Sequence, residues 1–339
     1  MSKKSQSNHT YKSEIVRELL TEFPNATTMA IARECVSRYP LDFKTVEAAR
    51  GLVRLNRGEM NRRVPVLGTV AERNQKEKKL AMTKFALPEC DYEELPDFVV
   101  PTGNNRGLIM NDIHLPYQDN NALDIAINYG IDFNPNFIYL NGDTIDMYQG
   151  SRFIRDRRLR DLAGELEITR GFLKELQRVF NCPIYFKMGN HEERWENYLR
   201  LNAPELLGID DFNLSNILRF GEFGVTEVKG KQMARIGKFN LLHGHEFGHS
   251  VFSPVNAARG LYMRAKASSA VGHHHQTSEH SEKDLNGNIV TTWSIGSLCG
   301  LSPEYMPYNK WNHGFATIET ETNGDYEFRN LRIVEGKVR

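Results

Sequence analysis

The chain has 339 residues, 40 % hydrophobic and 25 % charged, and its 43 Lys+Arg balance 43 Asp+Glu to a net charge of zero. That profile excludes a disordered or collagen-like polymer and suits one large folded domain plus a small one. No run approaches the roughly 18 apolar residues of a membrane span, and the polar start MSKKSQSNHT lacks a secretory apolar core, so a cytoplasmic location without a membrane partner is expected.

Three helical stretches open the chain. Residues 12–20 place Ile15, Leu19 and Leu20 on one face; residues 27–37 carry Met29, Ile31, Ala32 and Cys35 behind Thr27 as N-cap; residues 44–56 carry Val46, Ala49 and Val53. Residues 1–80 hold 16 Lys+Arg against nine Asp+Glu, and the rest of the chain carries the compensating acidic surplus. Arg50, Arg54, Arg57, Arg62 and Arg63 make a helix-turn-helix-like contact with nucleic acid one reading, and a solvated helical cap the other. The expected organisation is a small helical module over 1–70, a connector over 71–106 and one large domain over 107–339. The four cysteines, Cys35, Cys90, Cys182 and Cys299, form no C-x-x-C pair and read as buried free thiols.

After Arg106 short apolar runs alternate with helices. Gly107–Met110, Phe137–Leu140 and Pro183–Phe186 read as strands, separated by a helix near Asn121–Tyr129 and a longer one over 159–180. Phe239–Leu242, Ser268–Val271, Ile289–Trp293 and Phe315–Thr320 add strands, with a hairpin turn at Asn286-Gly287. This order predicts an α/β fold with a central sheet.

Five of these runs stop at polar clusters: Asp112-x-His114, Gly142-Asp143-x-x-Asp146, Gly189-Asn190-His191-Glu192, His243-Gly244-His245 and Gly272-His273-His274-His275. Ligands gather at strand ends in α/β proteins. Residues two apart on extended backbone share a face, which would pair Asp112 with His114 and His273 with His275. Asp112, His114, Asp143, Asn190, His243, His273 and His275 make a mixed N/O donor set. That set suits Mn²⁺ first, with Fe, Zn, Co or Ni as alternatives, and exceeds the four ligands of a closed structural zinc site. Two such ions, bridged by a carboxylate, can clamp a phosphoryl group and generate a hydroxide between them. His191 can protonate a departing oxygen, and Asp146 can hold its far nitrogen. His245 and His274 lie inside motifs and are weaker candidates to face a substrate. His9, His249, His280 and His313 are not expected to be ligands.

The five motifs, in this order, resemble those of the calcineurin-like metallophosphoesterase superfamily over about residues 107–320. The resemblance implies a β-sandwich flanked by helices, with the N-terminal helical module outside it. It also implies a first metal on Asp112, His114, Asp143 and His275, and a second on Asp143, Asn190, His243 and His273. His191 would be the proton donor, paired with Asp146. Protein phosphatases of this superfamily carry an arginine after the second Asp of GD-x-x-D and another before GNH; here Met147 and Met188 stand there. The chain therefore looks more like the phosphodiesterase and nuclease branch, which includes phage-type DNA-repair exonucleases.

The run from Ser151 to Arg160 holds five arginines, of which Arg152 and Arg155 are candidate phosphate contacts. Tyr305, Tyr308 and Trp311 can stack on bases or pack a sheet edge. The expectation is hydrolysis of DNA or RNA phosphodiesters through a metal-bridging hydroxide. A phosphomonoesterase acting on a nucleotide, phosphoprotein or small phosphoester is the alternative. An inert binding protein and a DNA-binding regulator are more distant ones. Oligomeric state is not legible.

Overall fold

The computed structural model describes residues 3–57, 90, 92, 94–150, 161–248 and 255–339. The chain forms two compact units, Met1–Glu93 and Glu94–Arg339. The first holds α1 (Lys3–Glu22), α2 (Thr28–Arg38) and α3 (Val46–Asn56). Ile15, Val16, Leu19, Ile31, Cys35, Phe43, Ala49 and Val53 form its core, whereas Met29 lies outside it, exposed. Thr27 caps α2 by accepting from Ala30 N, and Thr45 caps α3 by accepting from Ala48 N. Each cap is worth about 1 kcal/mol.

Part of the basic surplus of this unit is spent internally. Arg57 donates to Thr28 Oγ1 (3.0 Å) and to the Ala26 carbonyl, and so ties α3 to the turn before α2. Arg38 bridges Glu22 and Glu34, and Arg50 pairs with Glu47. Arg62 and Arg63 lie outside the described residues.

The second unit begins before Gly107. Phe98–Val99 (β1) pairs with Ala234–Ile236 (β6), so the end of the expected connector already belongs to a sheet. Two sheets are present among the described residues. One runs β13-β12-β11-β2-β3-β4-β5, from Lys337–Val338, Tyr326–Val334, Gly314–Thr320, Asn105–Met110, Phe137–Leu140, Ile184–Lys187 and Val225–Val228. The other runs β1-β6-β7-β8-β10-β9, adding Phe239–Leu242, Ser269–Val271, Ile289–Ser294 and Ser278–Lys283. This is the layered sandwich implied by the resemblance, not a single central sheet.

β2 to β5 are parallel. The crossovers from β2 to β3 and from β3 to β4 carry α4 (Asn120–Phe133) and α5 (Leu162–Phe180). Alternate residues explain the layers. Ile109, Tyr139 and Tyr185 pack with Ile236, Phe239, Leu241 and Ala270 of the other sheet. Leu108, Met110, Ile138, Leu140 and Phe186 pack with Ala122, Ala126, Leu173 and Leu176 of α4 and α5. Strands covered on both faces read as unbroken apolar runs. β9 and β10 form the hairpin expected at Asn286-Gly287, where Asp284 accepts from Asn286 N and Asn288 N. Cys35, Cys182 and Cys299 are buried thiols, but Cys90 is exposed. Among the described residues no helix is long and apolar enough to cross a membrane.

Candidate metal centre

The ends of β2, β3 and β4 are neighbours in one sheet and those of β7 and β8 in the other, and bonds from Asn141 Nδ2 to Leu242 O and from His243 Nδ1 to Asn141 O join the two sets of trailing loops. The loops are zipped by backbone bonds: Asp112 N donates to Gly142 O (3.1 Å), His114 N to Asp143 O (3.0 Å) and Leu298 N to Asp112 O (3.1 Å). Extended backbone is not what pairs the side chains. Asp112, His114, Asp143, His273 and His275 all have φ between 52° and 62°, the left-handed region that non-glycine residues rarely occupy. Such conformations cost on the order of 1–3 kcal/mol each and persist where the surroundings over-determine them. Gly142, at φ 86°, is obligatory for a further reason: a Cβ there would stand 2.5 Å from His243 Nδ1.

Asp143 is at the centre. Its Oδ2 lies 3.3 Å from His243 Nε2, 3.7 Å from His191 Nε2 and 3.9 Å from His114 Nε2. Its Oδ1 accepts from His191 N at 2.9 Å. On one side His114 Nε2 and His275 Nε2 face each other at 3.3 Å, and His275 Nε2 lies 3.3 Å from Asp112 Oδ1. On the other, His243 Nε2 lies 3.1 Å from Asn190 Oδ1, and the His273 ring is 5.1 Å from that of His243. Three groups, His114 with His275 and Cys299, His114 with Asp143 and His191, and Asp143 with His243 and His273, each bring their donor atoms within 4.8 Å of one another.

These residues fit cations. His114 Nδ1 donates to Asp146 Oδ1 (3.0 Å) and His243 Nδ1 to Asn141 O (2.8 Å). Both rings thereby turn Nε2 inward, toward other acceptors, where only a proton or a cation relieves the repulsion. Asp112 Oδ1 is buried and accepts no hydrogen bond. Burial disfavours ionisation of Asp112 and Asp143, but His275 outweighs it for Asp112, and His191 with His243 for Asp143, holding both below the usual carboxylate range. Burial and the neighbouring His243 push His273 down to about 3, leaving its lone pair free for a ligand. His243 is driven the other way against its burial, to about 10, chiefly by Asp143.

His191 sits beside this cluster. Its Nδ1 donates to Asp146 O (2.8 Å), with Asp146 Oδ1 3.1 Å away. The Asp146 carboxylate is thus shared between His114 and His191. Against burial, those two histidines hold Asp146 well below the usual range. Arg194 Nη2 donates to His191 Nε2 at 2.8 Å. Arg194 Nη1 also donates to Asp146 O (2.8 Å). A guanidinium therefore stands at the centre even though Met147 and Met188 are buried. Nothing in the G-N-H motif points to Arg194; one turn of helix α6 (Glu193–Asn202) brings it there.

Three further residues were missed by sequence reasoning. Glu192, buried, accepts from four backbone amides, those of Asp143, Thr144, Ile145 and Gly189, and so locks two motif loops together. Burial first, and then Asp143, pushes its carboxyl up to about 7. Cys299 Sγ lies 3.6 Å from His275 Nδ1 and orients that ring from behind. Lys187, fully buried at the end of β4, pairs with Glu246 Oε1 at 2.9 Å.

The weaker candidates divide. His245 is buried, with Nε2 3.1 Å from Glu193 Oε1, and is committed to that carboxylate. His274 is half-buried, edge-on to His273 at 5.4 Å. Arg152 and Arg155 lie outside the described residues. A cavity of about 670 Å³ lined by Trp195, Leu199, Phe212 and Lys229 includes none of the seven candidate ligands.

Residues 106–293 match the family described as calcineurin-like phosphoesterase. The Gene 54 protein of Mycobacterium phage L5 is 27 % identical over 231 residues, covering 64 % of this chain and 90 % of that protein. Its counterpart in Mycobacterium phage D29 is 26 % identical over 234 residues, covering 65 % of this chain and 91 % of its own. Among solved structures, Vacuolar Protein Sorting 29 from Cryptosporidium parvum is 13 % identical with a TM-score of 0.38, covering 70 % of this chain and 95 % of that one.

Proposed function

This chain belongs to the calcineurin-like phosphoesterase family, and on that premise we propose that it is a metal-dependent phosphodiesterase or nuclease acting on DNA or RNA. The observation that carries the reading is Asp143 Oδ2, which faces His243 on one side and His114 on the other at 3.3 and 3.9 Å. On this reading Asp143 would serve both cations. Asp112, His114, Asp143 and His275 would hold one, and Asp143, Asn190, His243 and His273 the other, with Mn²⁺ the ion best suited to this donor set and Fe, Zn, Co or Ni compatible with it. Such ions, when bound, supply Lewis acidity toward the phosphoryl oxygens and an activated water.

The chain's own residues do the rest. Asp146 holds the Nδ1 side of both His114 and His191 and so fixes which nitrogen each ring turns inward. His191, with Nδ1 held by Asp146, would take up a proton from solvent at Nε2 and, as imidazolium, pass it to the departing oxygen. For this, Arg194 must release His191 Nε2, and an incoming phosphate is the partner that draws the guanidinium away. Buried methionines at 147 and 188, where protein phosphatases of the family place arginines, favour a diester over a phosphoprotein. Nucleic-acid contact through the N-terminal helices belongs to the same proposal.

Mn²⁺-loaded protein is expected to hydrolyse bis-p-nitrophenyl phosphate and labelled DNA faster than p-nitrophenyl phosphate. His191→Ala should lower kcat by about 10²–10⁴-fold, the usual worth of a positioned acid, with metal content unchanged. Loss of the metals in that variant would remove His191 from the acid role, and activity confined to the monoester would turn the reading to a phosphomonoesterase.

A further inference from the structure

The loop over 301–311 returns to the metal centre. Trp311 packs on His275, ring centroids 4.1 Å apart, and Tyr305 meets Trp311 edge-on at 6.4 Å. Tyr117 follows the Asp112-x-His114 motif and is joined to the same region by backbone, since Gly300 N donates to Tyr117 O at 2.9 Å and Tyr117 N to His114 O at 2.6 Å. Trp311 is partly covered by this packing, whereas Tyr305 stays 78 % exposed and Tyr117 45 % exposed. Aromatic side chains bury readily, and two left open beside one catalytic cluster ask for a reason.

Both hydroxyls lie in the field of Asp146. Partial burial and then Asp146 push Tyr305 up to about 12, with Arg194 opposing. The same two causes, in the same order, raise Tyr117. Trp311 on His275 holds Tyr305 beside the cluster, and the bond from Tyr117 N to His114 O holds Tyr117 there.

The geometry points to Tyr305 and Tyr117 as a stacking platform for a nucleobase flanking the scissile phosphodiester, with Arg194 as the cation for its phosphate. This rests on the phosphodiesterase reading above and adds to it a demand for a planar base. Stacking suits the position because every base offers a π face, so the platform selects nucleic acid over other diesters without selecting sequence. Arg194, drawn onto phosphate, would at once free His191 Nε2.

The test compares thymidylyl-thymidine with its two analogues that carry an abasic sugar on one side or the other, using Mn²⁺-loaded protein. Wild type should prefer the full dinucleotide about tenfold over one of the two abasic analogues, the scale of one base stacked on an aromatic ring. Tyr305→Ala should erase most of that preference, and Tyr305→Phe should keep it. Both changes fall on an exposed ring, and a thermal melt checks that each variant is folded. A wild type that treats both abasic analogues like the parent, or a preference that Tyr305→Ala leaves intact, would overturn the platform while leaving the phosphodiesterase reading standing. A wild type that cleaves none of the three would sink that reading and the platform together.

Discussion

Asp143→Asn is expected to abolish phosphodiester turnover, by at least about a thousandfold or ~4 kcal/mol of barrier, and to empty both metal positions rather than one. The substitution keeps the shape of the side chain and removes its charge. Asp143 is 1 % exposed, and its Oδ2 lies within 3.9 Å of His114, His191 and His243. An amide nitrogen in that place offers hydrogens instead of a lone pair and could ligate neither cation. The Oδ1 position can still accept from His191 N, now 2.9 Å away, so the loop is expected to hold. Metal analysis of purified variant and wild type decides the matter. One ion kept at wild-type occupancy would show that Asp143 serves a single site, and the two-metal assignment would fall.

The strand ends carried this centre into view because their chemistry is local. Four-residue strands buried on both faces, such as Phe137–Leu140 and Ile184–Lys187, leave runs that stop abruptly at polar residues. A stop of that kind is legible without any knowledge of what lies across the sheet. The backbone that performs the convergence is not legible. A D-x-H or H-x-H pair on extended chain and one with both residues at positive φ read identically, and only tertiary bonds such as His273 N to Asp112 Oδ2 (2.8 Å) select the second.

The supporting residues escaped for a different reason. Cys299 reaches His275 from 24 residues away, and Lys187 reaches Glu246 from 59. Nothing in sequence spacing encodes such pairs. Arg194 was nearer, three residues past His191, but a helix start had to be placed at Glu193 before its direction had meaning. The two-residue strand Phe98–Val99 was lost in the connector because a strand that short has no period to read. The sandwich itself was implied by the resemblance rather than by periodicity, since β6 and β12 were not among the strands read.

Lys187→Met should cost the second unit about 3–5 kcal/mol, the usual penalty for removing one partner of a buried ion pair. The ammonium is fully buried and donates to the carbonyls of Lys229 (3.2 Å), Gly230 (2.6 Å) and Gln232 besides pairing with Glu246. Burial lowers the lysine's affinity for its proton, and Glu246 offsets part of that. Glu246 in turn is held down to about 2 against its own burial, first of all by Lys187. Without the lysine, a buried carboxylate loses its counter-charge and three carbonyls lose a donor. At roughly 2–4 °C per kcal/mol for a unit of this size, the melt should fall by about 10 °C. The loss should also reach the metal centre. Glu246 accepts from His243 N (3.0 Å) and Gly244 N (2.6 Å), so it sets the backbone that presents His243. Glu246→Gln, whose amide oxygen can still accept one of those two bonds, should therefore destabilise less than Lys187→Met. In both variants the ion on the His243 side should bind more weakly than the ion on the His275 side. Equal weakening at the two positions would mean that Lys187 supports the fold as a whole and has no particular hold on His243.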